Sequence, residues 1–385
     1  MRAFKLSLPF LLVAACNAGD SAASADAAPP ATASDRPFEV RQIASFDEPW
    51  AMAFLPGTSG QALITEKKGK LKVLWSDSGR IGEVAGAPAV DYGGQGGFGD
   101  VVLHPDFATN RFVYLSWVEA GTGGNRGAVV GRGKLVMEAG QGARLDGLQI
   151  IWRQTPKLSG RGHYGHRIAF GPDGKLYISN GDRQEFTPAQ DMNGTLGKIV
   201  RLNDDGSVPS DNPFASRGGV TAQIWSLGHR NPLGIAFDGS GRLWEIEMGP
   251  QGGDELNVVV KGRNYGYPIV SNGDHYGGKD IPDHPTRPEF EAPKVWWTPV
   301  ISPGDIIVYS GSLFPQWRGD ILAAGMTAEA IIHIDVDGDK AREAARYPMG
   351  QRIREIEQGP DGSVYLLEDM KDGAGGRLLK LTPKK

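Results

Sequence analysis

Residues 160–183 read GRGHYGHRIAFGPDGKLYISNGDR, with two of the seven histidines, His163 and His166, before an alternating strand and Asp182 after it. Imidazole changes charge near neutral pH, so a histidine at a strand mouth can trade protons, although many histidines there are simply polar. Four other stretches carry polar groups of a related kind. YGGQGGFGD holds Gln95 in a glycine cluster, and SLGHRNPLG holds His229, Arg230 and Asn231. EMGPQGGDELNVVVKGRNYGYP follows the next strand, and GQRIREIEQGPDG holds Arg352 and Arg354. The last two are two apart on a strand and so share a face. Taken singly, Asp182 is a turn residue, the arginine pair a solvated face, and His166 and His229 structural groups. Brought together, Gln, His, Asp, Asn and three Arg suit an anionic, oxygen-rich ligand.

The elements that must position these groups repeat. An apolar pair, a turn rich in Pro, Asp and Gly, and an alternating apolar strand recur with the residue before the turn at Phe54, Leu103, Phe170, Phe237, Phe314 and Gln358. The intervals run from 44 to 77 residues. Six hairpin-centred units near or above the ~40–50 residues of a blade predict an all-β, six-bladed β-propeller, in which each four-stranded blade covers its neighbours' apolar faces. The loops before each inner strand then open at one end of the ring, and the longer middle intervals are where function is added.

Composition narrows the partners. The 385 residues, 40% hydrophobic, are enough for one large domain or two ordinary ones. The formal charge of −4 with no basic patch excludes long-range attraction to nucleic acid or to an anionic membrane surface. MRAFKLSLPFLLVAAC reads as a lipoprotein signal over residues 1–16, and Cys16, the single cysteine, is left to carry lipid. Asn17 after it favours an outer-membrane anchor on the periplasmic side. Residues 17–36 are small and polar and read as a tether, so the globular domain is expected over 37–385, with membrane contact only through the lipid.

Five motifs in order carry a more specific signal: HYGHRIAFGPDGKLYISNGD, LGKIVRLNDDGSVPSDNPF, IWSLGHRNPLGIAFD, GPQGGDELNVVVKGRNYGYP and RIREIEQGPDG. Over roughly residues 40 to 383 the chain resembles the soluble quinoprotein sugar dehydrogenases, the glucose/sorbosone dehydrogenase family. The resemblance implies a PQQ- and calcium-dependent dehydrogenase on a six-bladed propeller, oxidising an aldose at C1 to its lactone and passing electrons to an unspecified acceptor. It makes His163 the general base and Asp182 the carboxylate that orients it. Gln95, Arg230, Asn231, Arg352 and Arg354 match positions that contact PQQ. Gly249 and Pro250 match main-chain carbonyls at the active-site Ca²⁺, and Glu255 with the Tyr265 main chain a second, structural Ca²⁺.

One departure stands out. The family's fifth-blade lysine is missing: ILAAGMTAEAIIHI places Thr327 there, and no lysine lies between Arg318 and Asp339. A lost buried charged contact would cost about 1.5–3 kcal/mol of cofactor affinity. Met248 stands where a polar residue is common. Two other readings stay open: a non-catalytic propeller binding a sugar or protein after losing its cofactor, and a calcium-dependent, lactonase-like hydrolase. The latter needs carboxylates and amides at the pocket centre, where these motifs are richer in arginine.

Overall fold

Strict alternation of apolar residues over five to nine positions can bury a sheet face on each side only as short strands. The computed structural model describes residues 35–58, 60–138, 142–370 and 375–384, so the expected signal, Cys16 and nearly all of the tether lie outside the described residues. Among the described residues the protein is all-β, with strands in five sheets and helix limited to single turns such as Phe107–Asn110.

Each sheet is built from antiparallel runs of four strands. Pro49–Phe54, Gln61–Glu66, Lys70–Trp75 and Arg80–Ala85 form the first run, and Phe98–Leu103, Phe112–Ala120, Arg126–Glu138 and Gly142–Arg153 the second. These two join through a parallel pairing of Glu83–Ala85 with Gly142–Arg144 into one eight-stranded sheet. Three further runs begin with the strands Gly165–Phe170, Pro232–Phe237 and Pro303–Val308. The last sheet takes Ile353–Gln358, Val364–Glu368 and Gly376–Pro383 from the C-terminal end and its fourth strand, Phe38–Phe46, from the N-terminal end. That pairing, Phe38 opposite Pro383, ties the two ends of the chain together. The first strands of the runs pack on one another in a closed cycle.

All of these inner strands share a device that residue patterning does not reveal. Each has a register irregularity in its first few residues, at Pro49/Ala51, Phe98/Val101, Gly165/Ile168, Pro232/Gly234, Pro303/Asp305 and Ile353/Glu355. A bulge re-aims the side chain beside it, and here it turns charged residues to the centre of the ring. The buried guanidinium of Arg167 lies 2.6 Å from Glu355 and 3.4 Å from Asp100, with Asp305 at 3.7 Å. It also donates to the carbonyls of Leu233 and Gly304, each at 2.7 Å, and lies 4.1 Å from the centre of the Trp50 ring. Glu355 accepts from the Met52 N–H at 3.2 Å. One buried cation thus touches or reaches through its partners all the inner strands, which glycines let close up: a Cβ on Gly234 would lie 2.7 Å from the Ile306 nitrogen.

The expected turn anchors fall at the ends of inner strands at Phe54, Leu103, Phe170, Phe237 and Gln358. Phe314 does not. Its strand, Pro303–Val308, ends earlier, and the connection to Ile321–Gly325 is a long loop. The physical reason is a small aromatic core of its own: Phe314 stacks on Trp317 at 4.1 Å between ring centres, and the Tyr309 hydroxyl donates to the Gly362 carbonyl at 2.7 Å.

Candidate functional site

Two adjoining cavities of about 660 and 690 Å³ open at the bulged end of the inner strands. Gln95 and Met248 line both. Every residue expected to catalyse, to contact the cofactor or to hold the active-site ion, apart from Asp182 and Asn231, is on one of these walls: Arg352 and Arg354 on the first, His163, Arg230, Gly249 and Pro250 on the second. Asp182 and Asn231 are fully buried behind them.

His163 sits in the loop before the strand Gly165–Phe170 with a positive φ of 46°. Its N–H donates to Gln95 Oε1 at 2.7 Å, which holds the strained backbone in place. Gly181 backs directly onto it, since a Cβ there would collide with the His163 carbonyl. The next residue, Asp182, thereby brings its Oδ1 to 2.7 Å from His163 Nδ1. The carboxylate is already an acceptor for the N–H groups of Gln184 (2.9 Å) and Phe186 (3.3 Å), so Nδ1 is the donor to it. Nε2 is left unprotonated on the cavity side. Burial lowers the His163 pKa, Asp182 partly opposes this, and the positive charge of Arg230 lowers it again. The geometry is that of a neutral imidazole poised to accept a proton.

His166 has a different environment. It is fully buried, stacks on Trp50 at 5.1 Å and pairs through Nδ1 with Ser116 Oγ at 2.8 Å. Burial, with Arg167 next to it, pushes its pKa down to about 3. Among the described residues no carboxylate orients it in the way that Asp182 orients His163.

Arg230 donates to the carbonyls of Met248 (2.9 Å) and Gly249 (2.5 Å), and its Nε has no protein partner among the described residues. The side chain of Asn231 is alike: among the described residues Nδ2 reaches only the Met248 sulfur at 3.8 Å, and Oδ1 is buried without a partner. The main-chain N–H groups of both residues converge on Glu247 Oε2, at 2.5 and 3.0 Å. Arg352 and Arg354 share Asp369 Oδ2, at 3.1 and 2.5 Å. Cationic and amide donors with spare bonding capacity, spread around one cavity system, fit a polycarboxylate with carbonyl oxygens such as PQQ. The Gly249 carbonyl, held by a guanidinium, is already a cation acceptor. A metal ion there would take the place of Arg230.

Glu255 and Tyr265 lie beside a buried acidic cluster. Strands Leu243–Glu247 and Asp254–Val259 pair Glu247 with Glu255 and Glu245 with Asn257. Ligand atoms of His229, Glu245 and Glu247 lie within 4.8 Å of one another, and Tyr265 stacks on His229 at 4.6 Å. Burial raises the Glu245 and Glu255 carboxyls, with repulsion from Glu247 adding to it, and raises Glu247 to about 8. Glu245 Oε1 and Asn257 Oδ1 have no partner among the described residues. Acceptor oxygens in this state fit a hard cation. Thr327 is exposed and donates to Ser302 Oγ at 2.7 Å, lining neither cavity.

Several wall residues escaped the sequence reading: Lys67, Met326, Asp369, and Trp50 on the first cavity, and Tyr276 on the second. A signal for three of them existed. Lys67, Met248, Met326 and Asp369 are each the first residue after the second strand of their run, ending at Glu66, Glu247, Gly325 and Glu368. Aligning the units at those strand ends rather than at the turns would have found them.

The glucose/sorbosone dehydrogenase family model matches residues 46–380. The aldose sugar dehydrogenase YliI of Escherichia coli K12 is 39% identical over 345 residues, 88% of this chain and 91% of that protein. The crystal structure of the soluble E. coli aldose sugar dehydrogenase in its apo form superposes with a TM-score of 0.83 at 38% identity, covering 90% of this chain and 100% of that one. The PQQ-bound aldose sugar dehydrogenase of Streptomyces coelicolor gives 0.74 at 29% identity, covering 93% and 100%. This chain is a member of the glucose/sorbosone dehydrogenase family.

Proposed function

We propose that the protein is a PQQ-dependent aldose dehydrogenase, built as a six-bladed propeller, that oxidises the C1 hydroxyl of a sugar to a lactone with His163 as general base. The six-bladed reading is supported by the closed cycle of inner strands and by the eight-stranded sheet, which divides into two four-stranded halves. The reaction is supported above all by one observation: a buried His–Asp pair whose His163 lines the cavity that also holds Arg230, adjoining the cavity lined by Arg352 and Arg354.

PQQ would supply the two-electron acceptor for the C1 hydride, and calcium the Lewis acid that polarises it. The chain's own groups do the rest. His163 Nε2 takes the hydroxyl proton, and Asp182 stabilises the imidazolium that results. Arg352, Arg354, Arg230, Asn231 and Gln95 bind the cofactor's carboxylates and carbonyls. Gly249 and Pro250 would hold the active-site ion through their carbonyls, and Glu255 with Tyr265 a structural one. The Cys16 leader would place the enzyme on the periplasmic side, lipid-anchored.

Titrating purified protein with PQQ and Ca²⁺, then following dye reduction over a panel of aldoses, tests the proposal. Sugar-dependent reduction that requires PQQ is expected. Its absence with every sugar at saturating cofactor leaves the cofactor-free binding propeller in its place.

A further inference from the structure

Of the cationic groups on the first cavity, Lys67 is the one that neither the family motifs nor the sequence patterning single out. It follows the strand Gln61–Glu66 in the charge run EKKGK, where it looks like a solvated lysine. The fold turns it inward, at the unit position that also delivers Asp369, Met248 and Met326 to the walls. Its stem runs over Gly97, where a Cβ would lie 2.9 Å from Lys67 Cγ, so only glycine leaves room for it. Its Nζ donates to the Gly94 carbonyl at 2.8 Å and lies 5.7 Å from the centre of the Tyr92 ring. Neither contact neutralises the charge.

Among the described residues, the two carboxylates of that cavity are occupied. Asp369 serves Arg352 and Arg354. Glu48 accepts the Tyr92 hydroxyl at 2.7 Å and pairs with Lys68 at 3.4 Å. From the strands of the fifth run and the loops joining them, the first cavity receives only Met326, while Thr327 is turned to solvent. Among the described residues the wall therefore holds three cations against one carboxylate that is shared by two of them and another that is engaged elsewhere. Burial and the charge of Arg354 both lower the Lys67 pKa, so the ammonium gains from any anion placed beside it.

We propose that Lys67 is a cofactor-binding residue whose ammonium, with Arg352 and Arg354, forms a three-cation cradle for the anionic oxygens of PQQ and supplies the contact absent at Thr327. The inference rests on the PQQ reading above, and its test separates the two. Apo protein is titrated with PQQ at fixed calcium, following quenching of tryptophan fluorescence, for which Trp50 on the same wall is the reporter. Lys67→Met is expected to raise the PQQ Kd roughly 10- to 100-fold and to flatten its dependence on salt, as loss of one charged hydrogen bond does. Lys67→Gln, which keeps a donor for Gly94, should weaken binding similarly, and Lys67→Arg should stay within about threefold of the parent. Unchanged thermal unfolding of the apo variants shows that the fold is intact. Parental affinity in Lys67→Met, or an equal loss in Lys67→Arg, overturns the role of the charge. No PQQ binding by the parent protein overturns the cofactor reading instead.

Discussion

His163 and Asp182 are nineteen residues apart in sequence and 2.7 Å apart in space, because the hairpin between them returns the chain to its starting point and Gly181 lets it touch. The carboxylate does two things at once. It fixes the imidazole tautomer, and it accepts the N–H groups of Gln184 and Phe186 in the loop that follows.

Replacing either partner should therefore act on turnover rather than on cofactor binding. His163→Ala is expected to lower kcat by about 10²–10⁴-fold, the usual share of a general base. Asp182→Asn should also lower it about 100-fold or more, since an amide can present a donor to Nδ1 and leave the proton on Nε2. Steady-state kinetics together with PQQ titration checks both. A variant that loses PQQ affinity in proportion to kcat contradicts the assignment.

The pH profile follows from the direction of the His163 shift. Burial and Arg230 favour the neutral imidazole, so the proton-accepting form persists as pH falls below the ordinary histidine value of about 6.5. The acid limb of kcat/KM should accordingly lie below 6.5, with activity lost only at lower pH. A limb at or above 6.5 would mean that Asp182 outweighs burial.

Arg167 holds the centre of the ring, and removing it leaves Asp100, Asp305 and Glu355 buried without their counter-ion. Arg167→Met should destabilise the protein by about 3–5 kcal/mol, read from denaturant unfolding. Adding Glu355→Gln to that variant should recover part of the loss. A single variant within 1 kcal/mol of the parent, a figure typical of exposed pairs, would contradict the hub.

Calcium should stabilise the apo protein through the Glu245–Glu247–Glu255 cluster. At roughly 100 times its Kd the ion adds about 2.7 kcal/mol, and a chelator removes it. Thermal unfolding with and without calcium measures the effect, and Glu255→Gln should blunt it. A midpoint indifferent to calcium excludes the second ion site.

Much of this was legible in the chain itself. Alternation over short segments, with Pro-Asp-Gly turns between them, determined the all-β class and most of the inner-strand ends, because a period of two admits only a sheet. Polar groups beside glycine-rich turns depart visibly from the repeat, which drew attention to the stretches holding His163, Arg230, Asn231, Arg352 and Arg354, but only the family resemblance chose His163 over His166 and gave these residues roles. Three things only the tertiary structure decided. The long loop after Val308 came from aromatic packing that has no period. The inward turn of Arg167 and its acids came from bulges, which alter register without altering composition. Lys67 and Asp369 became wall residues because separate units of a closed ring bring their strand ends to one cavity, and which residues meet across a ring depends on closure rather than on any local pattern.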